Sequence, residues 1–100
     1  MSNGIENLLE PRPDKGGRLF IKGTRISLNF IAREWRAGFG AEEIIENYPH
    51  IPPEGVYAAL AFYFANRKKV DADVKKEIAE ERRLIQKHAR LEKENEKQAA

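Results

Sequence analysis

The sequence predicts a mainly α-helical protein. It is a three-helix domain of helix-turn-helix type, homeodomain-like or winged-helix-like, with a short N-terminal β-hairpin and a long C-terminal helix. Three observations carry this reading. Apolar residues recur at helical spacing after Ser27. The run VYAALAFYFA, Val56 to Ala65, has no polar group beyond two tyrosine hydroxyls. The chain from Asp71 onward contains neither glycine nor proline. A membrane span needs roughly 20 apolar residues, so the apolar run belongs to a buried core or to a contact with another protein.

Residues 1–17 mix charge with Pro11, Pro13, Gly16 and Gly17, which suits a flexible arm with at most a helical turn near Ile5 to Leu9. Residues 18–70 form the domain. Leu19, Phe20 and Ile21 precede Lys22-Gly23, and Thr24 to Ser27 alternate polar with apolar, so a small hairpin is expected around that glycine. Ser27 then caps a helix in which Leu28, Ile31 and Trp35 recur at i, i+3 and i+7 until Gly38 stops it. After Gly40 comes a short second helix, with Glu42 and Glu43 favouring the dipole of its first turn and Pro49 ending it.

Pro52-Pro53 opens a third helix, which runs to about Asn66. On a helical wheel Val56, Tyr57, Leu60, Tyr63 and Phe64 share one arc and are expected to face Leu28, Ile31, Trp35 and Ile44. The opposite face, Ala58, Ala61, Phe62 and Ala65, is also apolar. Either the chain's own ends or a second subunit covers it. Residues 71–100 predict one long charged helix, capped by Asp71 or Asp73. Its apolar positions Val74, Ile78, Leu84, Ile85 and Leu91 are too sparse for a sustained heptad. It therefore rides on the domain, stands solvated, or waits for a partner.

Composition narrows the function. A chain of 100 residues has room for one small domain, and a charged fraction of 34% with a mean hydropathy of −0.67 concentrates its apolar residues locally. The absence of cysteine removes disulfides, thiol nucleophiles and the usual structural zinc sites. The N-terminus lacks the basic and apolar regions of a secretory signal, and a cytoplasmic location is expected. His50 and His88 have no metal-ligand spacing, and no glycine loop has the phosphate-cradling pattern, so no catalytic residue, metal or cofactor is assigned. An enzyme is not expected.

Binding remains. Net charge is only +2, yet cations cluster at Arg18, Lys22 and Arg25, at Arg33 and Arg36, and at Arg67 to Lys69. These either hold phosphates or are ordinary solvated cations. Base readout from the third helix would fall to Pro53, Glu54, Gly55 and Tyr57, a poor set of donors. The DNA-binding candidates are Lys22, Thr24, Arg25 and Tyr57.

The segments IKGTRIS, EEIIENYP and VYAALAFY, with Gly38 between the first two, resemble the domain of unknown function 433 family over about Arg18 to Lys69. The resemblance implies a helix-turn-helix-like fold and a non-enzymatic antitoxin, a homodimer or higher homo-oligomer. Such a protein pairs with a PIN-like ribonuclease toxin and binds its own promoter DNA, double-stranded. Gly23, Thr24 and Arg25 carry the signature: glycine permits a turn, and arginine offers two donors to phosphate or carboxylate, or else bonds Glu34 or helix-end carbonyls. Gly40, Pro52 and Gly55 depart from the family pattern.

A PIN-like nuclease holds a carboxylate cluster that a basic, apolar-anchored helix can occupy. Arg82, Arg83, Lys87 and Arg90 interleave with Leu84, Ile85 and Leu91. The partner-interface candidates are thus Phe62, Arg83, Leu84, Ile85, Lys87 and Leu91. Two other expectations stand beside the antitoxin: a stand-alone DNA-binding regulator, and an interaction module that meets no DNA.

Overall fold

A computed structural model describes residues 7–99, with side chains through Lys93. It contains a two-stranded antiparallel hairpin, β1 (Leu9–Arg12) and β2 (Arg18–Ile21), followed by α1 (Leu28–Arg36), α2 (Ala41–Asn47), α3 (Pro53–Ala65) and α4 (Arg67–Ala99). The extents are 65 × 28 × 25 Å, the long axis being that of α4. No described helix is long and apolar enough to cross a membrane.

The hairpin lies earlier in the chain than the sequence predicts. Residues 9–12, assigned to a flexible arm, pair with 18–21 in the register Leu9 to Ile21 and Arg12 to Arg18. A 3-10 turn at Pro13–Lys15, with Gly16 and Gly17 at φ +69° and +78°, joins them. Pro11 is tolerated because β1 is an edge strand with one hydrogen-bonded neighbour. The turn expected at Gly23 is present, at φ +78°, but its second arm shrinks to a single bridge between Phe20 and Ser27. The chain leaves there because Ser27 Oγ accepts the Phe30 amide at 3.0 Å and starts α1. The helical turn expected near Ile5 falls largely outside the described residues.

The helix boundaries otherwise follow the sequence. Gly38 at φ +104° ends α1, and the Phe39 amide donates to the Glu34 carbonyl at 3.1 Å while Gly38 donates to Trp35 at 3.0 Å. The Glu43 carboxylate accepts the Gly40 amide at 3.3 Å at the start of α2. The last helix starts sooner than expected, at Arg67 rather than beside Asp71, with only Asn66 separating it from α3.

One core unites these pieces: Ile21, Leu28, Ile31, Ile44, Ile51, Val56, Leu60, Tyr63, Val70 and Val74 are all buried. Full burial of each large apolar side chain contributes roughly 1.5–3 kcal/mol. The arc that α3 buries differs from the prediction. Val56, Leu60 and Tyr63 are buried as expected, but Tyr57 and Phe64 are 52% and 47% exposed. Ala58 is buried and Phe62 half-buried instead, because the hairpin and the start of α4 cover that side. Gly55 is buried there too, and a Cβ on it would stand 2.4 Å from Ile21 Cγ2. The second apolar face is thus covered in part by the chain itself, while Ala61 and Ala65 stay exposed.

Candidate functional site

The long helix is two half-helices in chemistry. Residues 71–81 carry five acids (Asp71, Asp73, Glu77, Glu80, Glu81) and two bases, Lys75 and Lys76. Residues 82–93 carry five bases (Arg82, Arg83, Lys87, Arg90, Lys93) and one acid, Glu92. The helix packs on the domain mainly from Val70 to Glu81, and Leu84 lines a shallow groove with Ser27, Phe30 and Arg33. Val70 and Val74 enter the core with Ile78 packed against it.

Around these valines the acids clasp the cations of α1 and β2. Arg33 donates to both oxygens of Glu81 at 2.9 and 3.2 Å. Arg18 pairs with Glu77 at 3.1 Å, and Asn29 Nδ2 donates to the same Glu77 oxygen at 2.8 Å. Arg36 lies 3.6 Å from Asp71, which also accepts the Tyr63 hydroxyl at 2.8 Å. The forked hydrogen bond to Arg33 holds the Glu81 carboxyl below its ordinary pKa, and Glu81 raises that of Arg33 in turn. Arg18, Arg33 and Arg36, which the sequence offers as phosphate-holding candidates, are therefore already engaged by carboxylates.

Beyond Glu81 the helix draws away from the domain, Leu84 still bordering a groove with Ser27, Phe30 and Arg33. Leu84, Ile85 and Leu91 are 54%, 67% and 47% exposed, and Arg83 and Lys87 are exposed beside them. These five predicted partner residues share one arm. Phe62, the sixth, does not join them: it sits beside Leu19 and Val70. Leu84 and Leu91 lie about 20 and 30 Å further along the helix from Val70 at 1.5 Å per residue.

The four DNA candidates divide similarly. Lys22 and Arg25 are exposed, and no ion pair of either occurs among the described residues. Thr24 works inward: its hydroxyl donates to the Ile21 carbonyl at 2.8 Å and accepts the Ile26 amide at 3.1 Å, and its own carbonyl takes the Arg12 guanidinium. Arg12 also stacks over the Phe20 ring at 4.3 Å and pairs with Glu10 at 3.0 Å, which keeps the Glu10 carboxyl below its ordinary pKa. The G-T-R signature is thus a turn that ties β1 to β2, with only its arginine left outward. Tyr57 is exposed, but the first turn of α3 beside it presents only Pro53 and Glu54 to solvent.

Residues 15–63 match the DUF433 family, a protein family of unknown function. The DUF433 match covers the β2 strand, its G-T-R turn, α1, α2 and all but the last two residues of α3, and it stops before α4 begins. A DUF433 member from Anabaena variabilis ATCC 29413, known from a crystal structure at 2.00 Å resolution, is similar in fold. Its sequence identity to this chain is 26% and its TM-score 0.61, over 71% of each chain. No curated protein matches the chain.

The acidic clasp is not among the features expected from the sequence. Its signal was available, since five acids precede five bases along one helix, but balanced totals over residues 71–100 concealed the segregation.

Proposed function

We propose that this chain is a non-enzymatic binding protein of antitoxin type, which holds a PIN-like ribonuclease through the distal half of α4. The observation that carries this reading is the exposed arm from Arg82 to Lys93, where Leu84, Ile85 and Leu91 alternate with arginine and lysine. The arm propagates a helix already nucleated on the domain, and what a partner would add is burial of its exposed apolar residues. Leucine and isoleucine supply anchors that lose water on contact, while guanidinium groups pair with carboxylates of the partner. The identity of the partner as a PIN-like nuclease rests on the DUF433 resemblance alone. Membership of such a module also accords with a cytoplasmic location.

The test is co-expression with an adjacent PIN-like reading frame. The full chain is expected to copurify with the nuclease and to restore growth, and a chain ending at Glu81 is expected to do neither while keeping its fold. Truncation from residue 72 would be uninformative, because it removes Val74 from the core. If the chain ending at Glu81 still captures the nuclease, the arm is not the binding element.

Promoter binding is the second reading, favoured by the exposure of Lys22 and Arg25 on one turn. We take α1 to α3 as a helix-turn-helix-like unit in which α3 would be the reading helix. Pro53, Glu54 and Tyr57 supply no bidentate donor for a base edge, so this binding would be to phosphates and steeply salt-dependent. A gel-shift assay on upstream DNA, with Lys22→Ala and Arg25→Ala reducing the salt slope, decides it.

A further inference from the structure

The junction between α3 and α4 is a break one residue long, and the residues that follow it do not favour a helix start. Asn66 alone interrupts the two helices, at φ −131° and ψ 40°, with no glycine or proline nearby and no left-handed residue closing α3. The hydrogen-bond ladder almost passes through it. The Asn66 amide donates to Phe62 and Tyr63, and the Asn66 carbonyl accepts the Val70 amide at 3.0 Å.

The new helix then opens on Arg67, Lys68 and Lys69 with no acid in its first turn. Three cations at the positive end of a helix dipole oppose a helix start at this point, and the first amides of α4 have no carbonyl one turn behind them within the helix. In one continuous helix the same cations would sit mid-helix, and those amides would meet the carbonyls of Tyr63, Phe64 and Ala65. What holds the break is tertiary. The Tyr63 hydroxyl reaches Asp71, eight residues on, Val70 and Val74 enter the core, and Arg33 grips Glu81.

Local preference and tertiary contact thus conflict at a single residue. We infer that Asn66 is a hinge, and that a second copy of this chain exchanges α4 with the first, each α3 running straight into its own α4. Straightening uncovers Val70 and Val74 on one side and the socket with Arg18, Arg33 and Arg36 on the other. The surface shaped and charged to refill that socket is the acidic half of another α4. Each copy offers both halves, so the exchange closes as a two-fold dimer.

Charge reversal on separate full-length chains tests this. Arg33→Glu and Glu81→Arg each set like charges against one another within a chain. In an exchanged dimer of one chain of each kind, both contacts again join opposite charges. After the two variants are mixed, unfolded and refolded together, light scattering is expected to report twice the chain mass. The mixture is also expected to melt above either variant alone. Two separate species, or a mixed dimer that melts no higher than its parents, overturn the proposal.

Asn66→Ala gives an independent readout. It removes the side-chain bond to the Phe62 carbonyl at 3.1 Å and favours helix at both hinges of the dimer. The dimer dissociation constant is expected to fall about tenfold. An unchanged or weaker dimer, with helicity retained by circular dichroism, also overturns it.

Discussion

The two halves of α4 differ in chemistry far more than in helical propensity, and the difference separates folding from binding. From Arg67 to Glu81 the helix contributes Val70 and Val74 to the core and matches each nearby arginine of the domain with a carboxylate. From Arg82 to Lys93 the charge is reversed and the apolar residues are largely exposed, with only Leu84 bordering a groove of the domain. A contiguous helix can therefore be a structural element for four turns and a docking arm for the next three.

The sharpest way to break this contrast is to place the same substitution on each side. Val74→Asp sets an unpaired carboxylate in a site that is 1% exposed, and should destabilise by about 4 kcal/mol or more in urea unfolding. Leu84→Asp, on a half-exposed site of the arm, should shift stability by no more than about 0.5 kcal/mol while weakening partner capture. Equal losses at the two sites would mean that the arm is packed. Gly55→Ala sharpens the contrast from the domain side, where the hairpin closes on α3. Ile21 is β-branched and stiff, so its methyl group cannot yield freely to a Cβ at 2.4 Å, and a loss of about 1–3 kcal/mol is expected despite the gain in helix propensity.

A smaller effect comes from the clasp itself. Arg33→Ala should lower the melting temperature only slightly, since both partners are partly exposed, and the difference from the parent should shrink as salt rises. The smallest is a pH effect. Glu10 and Glu81 both have carboxyls held below their ordinary pKa by an arginine hydrogen bond. Their contribution is full above the ordinary carboxylate range and is lost as pH falls through their lowered folded values. Thermal stability should therefore decline on acidification through that range, less so in Glu81→Gln.

Much of the helical layout was legible because its signals are local. Ser27 caps, Gly38 stops, Glu42 and Glu43 begin a short helix, and Pro53 opens the next. The misses share a non-local cause. Strand β1 contains Pro11, Glu10 and Arg12, a composition that reads as loop until Phe20 and Thr24 are brought against Arg12. The buried face of α3 is about 200° wide when placed at 100° per residue. It is centred on Ala59 rather than Leu60, because the hairpin approaches at Gly55 and α4 at Phe62. This rotation leaves Tyr57 and Phe64 outside, with Phe64 packed edge-on against Trp35 at 5.0 Å. The end of α3 at Asn66 was legible, but the start of α4 at Arg67 was not, since three cations disfavour a helix start there and tertiary contacts impose it. Of the candidate site, the arm was readable from its interleaved apolar and basic residues, whereas the acidic clasp that ends at Glu81 was masked by the balanced charge totals of residues 71–100 although the segregation is present there.

Amide hydrogen exchange along α4 in the full-length chain, without a partner, tests the division most directly. Slow exchange through the turns carrying Val70, Val74 and Ile78, giving way within about one turn of Glu81 to fast exchange across Leu84 to Leu91, is the expected profile. Protection at Leu91 equal to that at Val74 would contradict it, because the arm would then already be held.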